Sequence, residues 1–253
     1  MKKIFSLFLA VLMVFSVCSA LTSCGKGNKL VMATNAAFPP YEYKDGDKIV
    51  GIDAEIAAKI AEKLGMELEI VDTEFGSIIG GVQSGKYDIG MAGMTVNEER
   101  LQSVNFSKTY AKGVQVVIVK AGGSITSLDD LAGEGVKIGV QQDTTGHIYA
   151  SDTPENGGYG EDAVIAYKTG ADAVEALKTG KVQAVIIDNE PAKSFVAANE
   201  GLSILDTEYV EEDYAIAIAK NNTALLEKIN KALDELIADG TVQAIIDKYI
   251  PAE

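Results

Sequence analysis

Residues 29–71 read KLVMATNAAFPPYEYKDGDKIVGIDAEIAAKIAEKLGMELEIV, and this stretch decides the architecture. Leu30 to Ala33 is a short apolar run with the character of a strand. Ile56, Ile60 and Leu64 then recur every fourth residue, which places them on one helix face, with Asp53 as the expected N-cap and Gly65 just past the end. Residues 67–71 return to strand character. Strand and helix patterns alternating in this way argue for an α/β fold.

The alternation continues outward. Residues 78–84 read as a helix, 87–91 as a buried strand and 114–119 as another apolar strand. The second half restarts with a short helix around 127–131, a strand at 136–140, a helix at 171–178 and a strand at 182–187. The chain closes with a strand at 215–219 and helices at 223–238 and 241–249; Leu226, Ile229, Leu233 and Ile237 share one face of the first of these. Ser84-Gly85-Lys86-Tyr87-Asp88 and Thr179-Gly180-Lys181-Val182-Gln183, 95 residues apart, each close a helix and open a strand. They are read as equivalent turns in two lobes.

At the N-terminus, Lys2 and Lys3 precede an uncharged apolar run from Ile4 to Val17, a secretory signal too short for a bilayer-spanning helix of roughly 20 residues. Leu21-Thr22-Ser23-Cys24 resembles the lipobox of bacterial lipoproteins, in which the cysteine becomes the first residue and its thiol carries diacylglycerol. Residues 1–23 are therefore expected to be removed, and 24–28 to form a lipidated tether. The other cysteine, Cys18, lies in the segment to be lost, so no disulfide or cysteine-based metal site is expected, and the single His147 excludes a multi-histidine site. A net charge of −15 repels nucleic acid and anionic lipid, so membrane attachment is expected through the lipid alone.

Two catalytic-looking motifs fail. Gly80 to Lys86 spells Gly-x4-Gly-Lys, but Tyr87 follows where a phosphate loop needs Ser or Thr, and the glycines precede a strand where that loop would follow one. Gly133-x-Gly135 also precedes its strand. His147 has no nucleophile motif beside it. No cofactor is implied.

The stretch Ala92-Gly93-Met94-Thr95-Val96-Asn97-Glu98-Glu99-Arg100 carries the only arginine, against 21 lysines. A planar guanidinium grips a carboxylate through two parallel hydrogen bonds, which an ammonium cannot do. A surface ion pair with Glu98 or Glu99 is the plain alternative.

Taken with Ala33-Thr34-Asn35-Ala36-Ala37-Phe38-Pro39-Pro40-Tyr41, Val50-Gly51-Ile52-Asp53, Gln83 to Asp88, Asn105-Phe106-Ser107, Gly139-Val140-Gln141, Ala184 to Asp188 and Asp239-Gly240-Thr241, that stretch resembles the family 3 extracellular solute-binding proteins, the polar amino-acid binders of ATP-driven importers. The resemblance spans nearly all of residues 29–250. It implies a two-lobe, periplasmic-binding-protein-like α/β fold of type II, with a ligand cleft between lobes joined by two hinge strands. Lobe 1 would comprise 29–115 plus 213–253 and lobe 2 116–212, with hinges near 113–120 and 214–220. It further implies a monomer that passes a free polar amino acid to an ABC transporter permease.

Carried over residue by residue, the resemblance assigns Arg100 to the ligand α-carboxylate with the Thr95 and Thr145 backbone N–H groups. Asp188 takes the α-ammonium with the Gly93 carbonyl and the Thr95 hydroxyl, and Phe38 and Phe75 sandwich the side chain. Ala92, Thr144 and Gln141 complete the expected set, with Asn35. For Asp188 a helix N-cap, and for the phenylalanines core packing, are the structural alternatives. The family often has Asp where this chain has Asn35 and Gly where it has Asp143. Asn35 withholds a charge expected to meet a basic side chain, so glutamine-like and basic ligands are both open. Two other functions use the same fold: a cyclohexadienyl dehydratase, for which Glu42 and Glu74 are the nearby acids, and a ligand-sensing module.

Overall fold

The computed structural model describes residues 28–206 and 209–251. The expected signal segment 1–23, Cys24 and the tether up to residue 27 lie outside the described residues. In chain order the strands are β1 (Lys29–Thr34), β2 (Ala37–Phe38), β3 (Glu42–Asp45), β4 (Lys48–Val50), β5 (Glu67–Asp72), β6 (Ile89–Gly90) and β7 (Val104–Phe106). There follow β8 (Ala111–Lys120), β9 (Ile138–Gln141), β10 (Val164–Tyr167), β11 (Ala184–Asp188), β12 (Leu202–Ile204), β13 (Val210–Tyr214) and β14 (Ala217–Ala219). The helices are α1 (Ile52–Leu64), α2 (Ser77–Gln83), α3 (Glu98–Ser103), α4 (Thr145–Ser151), α5 (Gly170–Lys178), α6 (Asn189–Ala198), α7 (Thr223–Ala238) and α8 (Thr241–Tyr249).

Two mixed sheets result. The first has the order β5-β1-β6-β14-β7, with β5, β1 and β6 parallel; the second runs β10-β9-β11-β8-β12, with β13 also paired to β8. A small ribbon, β2-β3-β4, leads into α1. The chain passes from the first sheet to the second over residues 107–110 and returns over 215–216. Both crossings are tied together: the Ser107 N–H donates to the Ile216 carbonyl, and the Ile216 N–H to the Ser107 hydroxyl.

The first helix forms for the expected reason. Ile52, Ile56 and Ile60 are buried with Ala57 and Ala61, and Gly65 ends the helix in the left-handed conformation at φ 66°. Asp53, however, does not cap it. Gly51 holds the N-cap position with no side-chain bond, while Asp53 is turned inward and fully buried. Its carboxylate accepts the Gly93 N–H and the Tyr110 hydroxyl, each at 2.8 Å, so it bonds to distant groups in place of its own helix end.

The two rhyming turns are equivalent. Gly85 and Gly180 have φ 74° and 80°, and each is followed by a residue that brackets the neighbouring strand. The Val31 N–H donates to the Asp88 carboxylate and the Asp88 N–H returns to the Val31 carbonyl. Lys137 and Gln183 repeat that reciprocal pair in the second sheet.

Other expectations shift. The strand at 87–91 shortens to β6 because Lys86 and Tyr87 give their N–H groups to the Gly81 carbonyl. The strand expected at 215–219 shortens to β14, since Ala215 and Ile216 cross between sheets, and β13 precedes it as a strand of its own. The helix near 127–131 is a single 3-10 turn, Asp129–Ala132, and the strands expected at 136–140 and 182–187 are β9 and β11. The ribbon, β10, β12, α4 and α6 carry no periodicity long enough to read. Pro191 also sits in the first turn of α6, where a helix tolerates it.

Gly51 has φ 126°, and a Cβ there would meet the Tyr41 carbonyl oxygen at 2.2 Å. Gly51→Ala is expected to lower stability by roughly 1–3 kcal/mol or more, read as the shift in urea midpoint.

Candidate functional site

Both sheets present the carboxyl ends of their parallel strands to one cleft, the position where open α/β sheets place ligands. From the first sheet, Asn35 follows β1, Phe75 follows β5, and Ala92 and Gly93 follow β6. From the second, Gln141 ends β9, Asp188 ends β11, and Thr144 and Thr145 open α4. With Phe38, Thr95 and Arg100, all eleven residues expected at the site line one cavity, and Glu42 is its twelfth wall. It encloses about 310 Å³ free of protein atoms, so narrow that only a thin sliver admits the centre of a water molecule.

Arg100 lies in α3, whose first turn is fixed by Asn97: its side chain accepts the Arg100 N–H at 2.8 Å. The guanidinium is buried at 7% exposure and pairs with neither Glu98 nor Glu99. Instead it donates to the Thr95 carbonyl at 2.7 Å and the Asp143 carbonyl at 3.1 Å, and lies 5.2 Å from the centroid of the Phe75 ring. Burial lowers its pKa below the ordinary arginine value, and the charge of Glu212 opposes that shift.

Asp188 occupies the N-cap position of α6 but makes no side-chain capping bond. Its carboxylate accepts the Tyr214 hydroxyl, and burial followed by the charge of Glu212 holds its pKa well above the carboxylate range. Arg100 and Asp188 thus share the cavity without forming an ion pair with each other.

Gly93, at φ 51°, has its N–H fixed by Asp53, and a Cβ would come within 2.8 Å of the Phe38 ring. Phe38 is itself stacked on Tyr41. Asp143 stands in the left-handed region at φ 64°, which is the physical reason glycine suits this position in the resembling family. Its carbonyl is one of the acceptors of Arg100. Three contacts bridge the two sheets' edges: Arg100 to Asp143, Gln141 Nε2 to Asn35 Oδ1 at 2.9 Å, and Lys168 to Glu74 at 2.7 Å on the exposed rim. Asn35 is oriented for the second by donating to the Thr73 carbonyl. His147 lies outside the cavity lining, in a wider groove beyond Phe75 and Arg100, where its Nδ1 accepts the Asp143 N–H.

Asp53, Glu212 and Tyr214 escaped the sequence reading as parts of this site, and Glu42 entered it only as a nearby acid for the dehydratase alternative. Glu42 is 1% exposed, and neither carboxyl oxygen has a donor. Burial and the adjacent Asp53 hold it well above the carboxylate range, so it can bond to Asp53 only by carrying the proton itself. Burial also raises Asp53 to about 6, with Gly93, Tyr110 and Glu42 as opposing donors. Glu212 accepts from the Thr95 hydroxyl and from Gln115 Nε2, both at 3.0 Å, beneath the cavity. Tyr214 passes over Gly113, where a Cβ would meet its hydroxyl at 2.0 Å, to reach Asp188. The motif that follows Phe38 pointed to Glu42's neighbourhood; nothing in Val210-Glu-Glu-Asp-Tyr214 signals burial until β13 pairs with β8.

With this geometry in hand, the sequence profile of the bacterial extracellular solute-binding proteins, family 3, matches residues 30–252. The chain belongs to that family. The arginine-binding extracellular protein ArtP of Bacillus subtilis (strain 168) is 35% identical over the full length of both chains. A structure described as an ancestral arginine-binding protein bound to glutamine superposes with a TM-score of 0.82 at 39% identity, covering 90% of this chain and 100% of that one. Another, described as an ancestral arginine-binding protein bound to arginine, has a TM-score of 0.80 at 40% identity, with 88% and 98% covered. The protein is therefore a two-lobe extracellular solute-binding protein.

The buried acids set a pH dependence. Asp53 has a folded pKa of about 6 against an ordinary 3.8, so the stability linked to its proton is full below pH about 4 and is lost as pH rises through about 6. Asp53→Asn should therefore gain on the wild type by on the order of 2–3 kcal/mol between pH about 4 and about 7, read from urea unfolding at the two pH values.

Proposed function

We propose that the protein captures a free polar amino acid, glutamine-like or basic, and passes it to an ABC transporter permease. The observation that carries this reading is one buried guanidinium and one buried carboxyl on opposite sides of a single narrow cavity, not paired with each other. A zwitterionic α-amino acid supplies a carboxylate for Arg100 and an ammonium for Asp188, offsetting the cost of burying both charges. Phe38 and Phe75 give the side chain two apolar walls, and Asn35 and Gln141 give it uncharged hydrogen-bonding groups. The names of the similar proteins, bound to arginine or glutamine, support the same ligand class.

The mechanism is closure. The lobes proposed are 29–115 with 213–253, and 116–212, with the paired segments of β8 and β13 as part of the hinge. Only the closed cleft brings Arg100 and Asp188 to the same ligand, so binding favours closure by the difference in affinity between the two forms. The Thr95–Glu212–Gln115 contacts and the Tyr214–Asp188 contact join ligand-facing groups to β8 and β13, so the hinge and the site share hydrogen bonds. Delivery implies an extracytoplasmic monomer, held at the membrane by lipid on Cys24.

Calorimetric titration against the twenty amino acids, after unfolding and refolding to strip bound ligand, tests the reading. A polar amino acid is expected to bind at micromolar affinity or tighter, and Arg100→Ala is expected to weaken it by at least about 100-fold while the circular dichroism spectrum is kept. Unchanged affinity in that variant would sink the assignment. For the anchor, Cys24→Ala is expected to abolish incorporation of labelled palmitate and release the protein into the medium.

A further inference from the structure

The α-carboxylate and α-ammonium of an amino acid account for Arg100 and Asp188 but leave the third ionisable wall of the cavity, Glu42, unmatched. It leads β3, immediately after the turn at Pro40 and Tyr41, and is buried with both oxygens lacking a donor. The groups facing it are Asp53 from α1, Asp188 from β11, Tyr41 beside it, and Tyr110 from the crossing before β8. Asp53 is committed to Gly93 and Tyr110, so of the two adjacent acids Glu42 is the one free to change partners. Arg100 is the only cation lining the cavity; two of its five N–H groups go to the Thr95 and Asp143 carbonyls, and the amino-acid reading gives the ligand α-carboxylate the rest.

We propose that Glu42 is a proton-exchanging selector for the ligand side chain. Carrying its proton, it donates to a neutral amide oxygen. When a lysine- or arginine-like cation enters, the Glu42 O–H bond breaks, the proton leaves to the buffer, and the carboxylate pairs with the cation. One acid then serves two ligand charges, and the local charge balance is kept in both complexes. Asn35 cannot supply this compensation because it is uncharged, which leaves Glu42 as the side-chain counter-charge. The inference rests on the amino-acid reading above and deepens it. Burial and Asp53 favour the protonated form of Glu42, in keeping with this role.

Asp188 meets the α-ammonium of every amino acid, so any proton it sheds is shed with all ligands alike. The difference between ligands isolates Glu42. The experiment is titration calorimetry of the protein with L-arginine, L-lysine and L-glutamine near pH about 6, in buffers of different ionisation heat. Arginine and lysine are expected to release about one proton more than glutamine does, and their affinity relative to glutamine to rise by up to about tenfold per pH unit on the acid side. Glu42→Gln is expected to abolish the surplus proton and that pH dependence. Equal proton release by arginine and glutamine in the wild type, which needs no variant to fold, would overturn the proposal. So would a surplus that survives in Glu42→Gln. Binding of glutamine with none of arginine or lysine from pH about 5 to 9 would overturn it while leaving amino-acid capture intact. Failure of every amino acid to bind would instead remove the reading on which it rests.

Discussion

A guanidinium and a carboxyl group buried in one cavity and kept from pairing is the constraint around which this protein is arranged. Two such groups left free to meet would form an ion pair and fill the cleft. They are kept apart because each is already held by its own side of the molecule. Arg100 is fixed by the Thr95 and Asp143 carbonyls, and Asp188 by the Tyr214 hydroxyl. Neutral partners orient a charge without cancelling it. The cost of burying the charges is met elsewhere in the fold, by the packing of the Ile, Val and Leu side chains behind both sheets.

The second requirement is a rigid frame for the loops that carry these groups. Asp53 provides one anchor: from inside α1 it holds the Gly93 N–H, and with it the turn between β6 and Thr95. Phe38 packs so close to Gly93 that a side chain there would strike its ring. Glu212 provides another anchor, for Thr95 and Gln115 near the crossing strands. The surface ion pairs add little by comparison, since Lys168 and Glu74 are 76% and 67% exposed and the solvent screens them.

Acidic groups crowd the floor of the site. Burial raises three of them, Glu42, Asp53 and Asp188, and the charge of neighbouring carboxyls adds to the rise at Glu42 and Asp188. Such a cluster is unfavourable for stability, and its place at the ligand cavity is consistent with a functional origin, because perturbed carboxyls concentrate where ligands or reactions need them.

The sequence by itself determined the layer order, because helix and strand periodicities are local: α1, α7 and α8 follow directly from the spacing of their apolar residues, and Gly65, Gly85 and Gly180 mark turns that demand positive φ. It also marked Arg100, by composition, and the full set of eleven cavity residues, through ordered motifs that together resemble one family. Only the tertiary structure decided the roles of Asp53, Glu42, Glu212 and Tyr214. A carboxylate in the first turn of a helix reads as a cap, and an acidic strand such as 210–214 reads as solvated, until distant backbone groups come to rest against them. Burial is a property of the pairing of β13 with β8 and of the two crossings at 107–110 and 215–216, which no local pattern encodes.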